Sequence, residues 1–213
     1  MRLDRILVLV LGAALIAAAG PASAQSVPEQ PKAESSKPTA KTDKRTARVQ
    51  KPDRAARIDA LFDVLAKAPD ANIAKAIEGR LEAMLAQSGS DTSDLLMGRA
   101  RAAMEAKESE LALGLLDSVV EIQPDFVEAR ARRATVYFLK KDYARSLADL
   151  RMVLAREPRH YGALSGLGVI MQDLGEDKRA LEAFRRALAI HPYLSGVTEL
   201  VKKLTVKVEG REI

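Results

Sequence analysis

The sequence predicts an all-α protein built as a solenoid of antiparallel helix pairs. Three observations predict it. Pro124, Pro158 and Pro192 recur every 34 residues, each after a similar segment: VVEIQP, VLAREP and ALAIHP. Between the prolines, apolar residues recur at helical rather than strand spacing. The second half is rich in Ala and Leu, while aromatics make up only 4% of the chain, a balance that favours helix. A fixed period of this length means stacked supersecondary units, none of which buries its apolar face alone.

Aligning on the prolines divides residues 93–194 into three units, 93–126, 127–160 and 161–194. The third is the clearest. Leu164, Leu167 and Met171 mark a first helix over 161–174, and Gly175 is placed to end it in the left-handed conformation. Asp177 is the expected cap of a second helix carrying Ala180, Leu181, Phe184, Ala187 and Leu188. Pro192 closes it, because proline cannot continue a helix interior. Gly168, Ala134 and Ala100 share one column of small residues, where two helices approach closely.

This pattern resembles the tetratricopeptide repeat, with its 34-residue period and its order of large apolar, Leu-Gly, Tyr, Ala, Phe, Ala and Pro. The third unit matches with Leu164, Leu167, Gly168, Met171, Ala180, Phe184, Ala187 and Pro192. The second keeps Ala134, Tyr137, Leu150, Val153 and Pro158, with Ser146 in a small column, and the first keeps Ala100, Ala112, Leu116, Val119 and Pro124. The resemblance implies a right-handed superhelix whose first helices line a concave groove. Carried over column by column, that groove takes Met97, Arg101 and Met104 from the first unit. Ala131, Arg132, Thr135 and Phe138 come from the second, and Ser165, Val169 and Gln172 from the third. Phe138 is the expected aromatic anchor for a partner. The lysines and asparagines with which some members clamp a terminal carboxylate are missing from these positions.

Arg99 and Arg133 depart from the pattern in the Leu167 column, and Arg130 does so in the Leu164 column. They require acidic partners or solvent, and Glu128–Arg132 is one i,i+4 pair. A basic recognition patch of Arg130, Arg132 and Arg133 is the competing expectation.

Flanking segments extend the stack. Residues 54–92 form a degenerate helix pair, expected to cap the N-terminal end: Ile58, Leu61, Phe62 and Leu65 on 54–68, and Ile73, Ile77, Leu81 and Leu85 on 71–87, with Asp70 as a cap. Residues 195–213 hold a closing helix whose Lys202, Lys203 and Lys207 face water, followed by a short tail.

Residues 1–24 read as a secretory signal. Arg2 and Arg5 precede an apolar run over 6–19, and Ala22-Ser23-Ala24 offers cleavage after Ala24. The run falls short of the ~20 residues that span a bilayer, so an uncleaved membrane anchor is the second reading. Residues 25–53 are a basic linker rich in Pro, Lys and Ser, without apolar periodicity. Weak contact with membrane or cell wall through its charge is an associated expectation. The expected location is therefore the periplasm.

The net charge is +5 and is concentrated before residue 54, so the repeats are nearly neutral and no nucleic-acid surface is expected. There is no cysteine, and His160 and His191 both lie at inter-repeat turns. No nucleophile elbow, zinc motif or phosphate loop is present. The expected function is a non-catalytic adaptor binding a protein or peptide, without a cofactor. An enzyme using an unrecognised carboxylate site is the alternative from another class.

Overall fold

The structure is a computed structural model and describes residues 53–210. The signal and most of the linker expected over residues 1–53 lie outside the described residues. Among those described there are nine α-helices and no strand: α1 (Arg54–Ala66), α2 (Ala71–Leu85), α3 (Asp91–Glu105), α4 (Ser109–Ile122), α5 (Val127–Leu139), α6 (Tyr143–Arg156), α7 (Tyr161–Asp173), α8 (Asp177–Ile190) and α9 (Val197–Glu209). The pairs α3–α4, α5–α6 and α7–α8 are the three expected units. Each second helix then packs on the following first helix, α4 on α5, α6 on α7 and α8 on α9.

The turn inside each repeat recurs in detail. Lys107, Lys141 and Gly175 share one column, and all three have positive φ, at 61°, 62° and 78°. The next residue in each case donates its N–H to a carbonyl five residues back: Glu108 to Ala103, Asp142 to Tyr137 and Glu176 to Met171. This bond satisfies carbonyls that a helix end leaves without partners. The helix following the third turn begins at Asp177 with Glu176 at its cap and no side-chain cap bond. The cap expected from Asp177 is therefore not made; its carboxylate pairs with Lys207 instead.

Small residues let the two helices of a repeat approach. A Cβ on Gly168 would lie 2.6 Å from Cε1 of Phe184, inside contact distance, and Phe184 is fully buried. The corresponding pairs are Ala134 with Leu150 and Ala100 with Leu116, each pair in one buried cluster. A larger side chain on one helix is matched by a smaller one on the other, which keeps the packed volume near constant. Ser146 occupies its small column by donating its hydroxyl to the carbonyl of Ala134 at 2.8 Å, so the buried oxygen is satisfied.

The departures in the second repeat are explained by acids on neighbouring helices. Asp149 on α6 is buried and receives Arg133 at two oxygens, both at 2.7 Å, while Arg133 also reaches Asp117 of α4 at 2.8 Å. Arg130 reaches Asp149 at 3.4 Å and donates to the carbonyl of Pro124 at 3.0 Å. The hydrogen bonds that Arg133 donates to the Asp149 carboxylate hold its guanidinium far above its ordinary proton affinity. Arg132 pairs with Glu128 at 2.9 Å. These arginines are thus tied to acids, and the basic patch expected as the alternative is not formed.

The α1–α2 pair is where the structure departs most from the sequence reading. Phe62, Leu65, Ala74, Ile77 and Leu81 bury against one another and against Tyr161, with Ile190 and Leu194 packed alongside. These are residues of the third repeat, whereas an N-terminal cap would lay the same stripes on α3. Polar contacts hold the pair there: Tyr193 donates to the carbonyl of Pro69 at 2.8 Å, Arg159 pairs with Asp59 and Asp63, and the Arg159 guanidinium lies 4.7 Å from the Phe62 ring centroid. The physical reason lies in the connection. Gly89 at φ +80° turns the chain between α2 and α3. Ser88 and Ser90 there bond Asp94 and the start of α3, so α3 opens with its own cap. Ile73, expected in the stripe, is 44% exposed, and Ala74 takes the buried position. At the other end α9 buries Val197, Val201 and Leu204 with Leu181 and Phe184.

Candidate partner-binding groove

The first helices α5 and α7 face each other across a cavity of about 260 Å³. Its floor is apolar: Ala134, Leu150, Ala163 and Ile170 are all buried in one cluster, with Phe138 packed against it. Phe138 stacks on Tyr143 with ring centroids 6.0 Å apart, and Lys141 lies 5.4 Å from its centroid. The Tyr143 hydroxyl donates to Asp173 at 2.7 Å, and this bond, with the nearby Lys141, lowers the Asp173 pKa. The ring that closes one side of the cavity is therefore fixed by its neighbours rather than free.

The opposite end is polar and is built by the first turns of α5 and α7. Glu128, Arg132 and His160 line it. His160 caps α7, its Nδ1 accepting the N–H of Ala163 at 3.0 Å. Nearby, Glu82 of α2 has its pKa raised by burial and then by the charges of Glu78 and Glu128. Burial and the same carboxylates push the Tyr161 hydroxyl well above its ordinary value.

Of the groove residues expected from sequence, Arg132, Thr135, Phe138 and Val169 come together here, with Ala131 and Ser165 beside them. The others are placed elsewhere. Met97 is 6% exposed within the core of the first repeat. Its column holds Ala131 and Ser165 in the later repeats, and the longer methionine reaches inward to fill space. Met104 lines a separate recess with Val136 and Leu139. Arg101 is exposed and pairs with Glu105 at 2.9 Å. Gln172 is partly buried outside the cavity lining. Sequence reasoning missed His160, Leu150 and Ile170. Leu150 and Ile170 read as ordinary core, and His160 carried one signal, its position one residue before a helix start.

Among the described residues, no group of three or more His, Cys, Asp or Glu is arranged to hold a metal ion. No described helix is long and apolar enough to cross a membrane. His191 is buried and lies 5.2 Å edge-on from the Tyr161 ring, which is a packing role.

Comparison with known proteins agrees with this architecture. The family model for the tetratricopeptide repeat protein 21 ARM repeat matches residues 16–150, and a tetratricopeptide repeat model matches residues 132–195. A TPR repeat-containing protein of Rhizobium etli is 38% identical over 154 residues, covering 72% of this chain and 76% of that protein. The small glutamine-rich tetratricopeptide repeat-containing protein 2 of Saccharomyces cerevisiae is 26% identical over 118 residues, covering 55% of this chain and 33% of that protein. Among solved structures, the Sgt2 TPR domain of Aspergillus fumigatus superposes with a TM-score of 0.53 at 23% identity, over 56% of this chain and 81% of that one. The first TPR of Spaghetti (RPAP3), solved bound to the HSP90 peptide SRMEEVD, gives 0.53 at 18% identity, over 56% and 95%. MamA gives 0.52 at 17% identity, over 74% and 80%. At these identities the solved structures establish the fold alone. The repeat period, the helix pairs, the family models and the Rhizobium relative together place the chain in the tetratricopeptide repeat family, whose repeats typically serve as protein-interaction modules.

Proposed function

We propose that this protein is a non-catalytic adaptor, exported to the bacterial envelope, that holds a segment of a partner protein in the groove between α5 and α7. The observation that carries the reading is the cavity itself. Its volume of about 260 Å³ and apolar floor lie on the face formed by successive first helices. A cavity of roughly 150 Å³ already accommodates a benzene ring, so one aliphatic or aromatic side chain fits. The RPAP3 domain of similar fold was solved with a peptide, which supports a peptide ligand. Export rests on the features of residues 1–24, and N-terminal sequencing of the protein recovered from the envelope tests it; a chain beginning at Gln25 is expected. A chain beginning at Met1 in the membrane fraction favours the tethered alternative.

The groove is tested by photocrosslinking in cells. Benzoylphenylalanine at Phe138 should give a discrete adduct, whereas the same group at Leu111, exposed on α4, should not. Adducts from Leu111 alone would move the binding face to the second helices.

A further inference from the structure

The α1–α2 pair carries a second groove, on the side away from its acids. Successive residues of a helix turn by about 100°, and the two flanks of each helix here differ in charge. One flank of α1 holds Asp59 and Asp63, both facing Arg159. One flank of α2 holds Glu78 and Glu82, with Glu78 3.6 Å from Nε2 of His191. The opposite flanks meet in an open groove of about 490 Å³. Leu61 and Val64 of α1 and Ala83 and Met84 of α2 line it, and each helix adds one arginine, Arg57 and Arg80. No acid lines this groove, and neither arginine has a hydrogen bond or ion pair among the described residues. Val64 is 53% exposed, so the apolar surface between the two cations is open to a partner.

Shape and charge select the occupant. An apolar channel between two antiparallel helices receives a convex ridge of side chains, the shape of a third helix. A flat lipid surface would leave its floor unfilled. Two arginines without acids favour carboxylates on the flanks of that ridge. The chain's own segments lack this chemistry. Residues 6–19 are apolar without an acid, and residues 25–53 hold seven basic residues against four acidic. The acidic helix α4 is committed within the stack, Glu110 to Lys140 and Asp117 to Arg133. A second copy of the same face would set arginine against arginine. We propose that the α1–α2 groove docks an acidic amphipathic helix of a partner protein, its apolar ridge on Val64 and Met84 and its carboxylates against Arg57 and Arg80. This is a second docking surface, sharing no lining residue with the α5–α7 cavity.

The test uses the ¹⁵N-labelled full chain and two helical peptides of about four turns, matching the 13 residues of α1. Both carry a leucine ridge, flanked by glutamates in one peptide and by lysines in the other. The glutamate peptide should shift the amides of residues 57–64 and 80–84. It should bind about tenfold more tightly than the lysine peptide at low salt, with the difference shrinking as salt is added. Arg57 and Arg80 are exposed, so changing both leaves thermal unfolding unchanged. Arg57→Gln with Arg80→Gln should erase the preference, and Arg57→Glu with Arg80→Glu should reverse it. Val64→Asn should weaken both peptides about threefold. Equal binding of the two peptides, a preference that survives the charge reversal, or shifts confined to helices other than α1 and α2 would overturn the proposal. So would either of two other occupants: phosphatidylglycerol vesicles that shift these residues when the glutamate peptide does not, or dimerisation of the chain, read by sedimentation, that shuts the peptide out. The α5–α7 cavity stands or falls separately, by its own crosslinking test.

Discussion

The second and third repeats solve the same packing problem in different chemistry. In the third, α7 and α8 meet through Gly168 and the face of Phe184, a contact with no room for one more carbon. In the second, the position equivalent to Leu167 is Arg133, and its charge is absorbed by buried Asp149 and by Asp117 of the preceding repeat. An apolar contact is adjusted by volume, and its cost grows with the space left behind. A buried ion pair is adjusted by partners, and its cost falls on whichever charge is stranded. The repeat frame therefore constrains the shape of a column more tightly than its polarity.

Substitutions separate the two mechanisms. The largest effect is expected from Phe184→Ala, a loss of about 3–5 kcal/mol in urea-unfolding stability, because a fully buried ring is removed. Asp149→Ala should cost about 3 kcal/mol by the same measurement, since it strands Arg133 and Arg130; the remaining contact with Asp117 keeps the loss from being larger. The triple change Arg130→Met, Arg133→Met, Asp149→Leu should recover most of that loss, and failure to recover would show that the ion network also sets the register of α5 on α6. Gly168→Ala should cost about 1–3 kcal/mol, and adding Phe184→Leu should restore part of it, reproducing the Ala134–Leu150 combination. If the two changes are simply additive, the volume-matching account fails. The smallest effect is expected from Lys107→Gly, a gain of about 0.5 kcal/mol in thermal unfolding, because the left-handed residue no longer carries a Cβ.

The same distinction explains what the sequence made legible. The period, the helix pairs and the small-residue columns come from local spacing, and all are visible without coordinates. The left-handed turn was readable at Gly175 but not at Lys107 or Lys141, where a long side chain hides the same backbone. Arg133 announced a need for an acid, yet its partner lies 16 residues away on another helix, a pairing that no i,i+4 rule finds. The stripes of α1 and α2 revealed that these helices bury a face. They carried no information on which surface receives it, because Tyr161, Ile190 and Leu194 are separated from them by whole repeats. In the groove, column arithmetic located Phe138 and Val169 but assumed one side-chain length, so Met97 was assigned to a surface that only Ala131 and Ser165 reach.

The docking of α1–α2 also bears on how the chain folds. In an open stack each unit contacts only its neighbours, so folding nucleates locally and spreads. Here Asp59 meets Arg159, 100 residues away, and contacts this distant delay a folding reaction because the loop must close before they contribute. Two kinetic phases are the natural consequence: a fast one in which the helix pairs propagate along the stack, and a slower one in which the first pair finds the third repeat. A chain emerging from its N-terminus would hold that first pair unfinished until the residues it packs against have appeared.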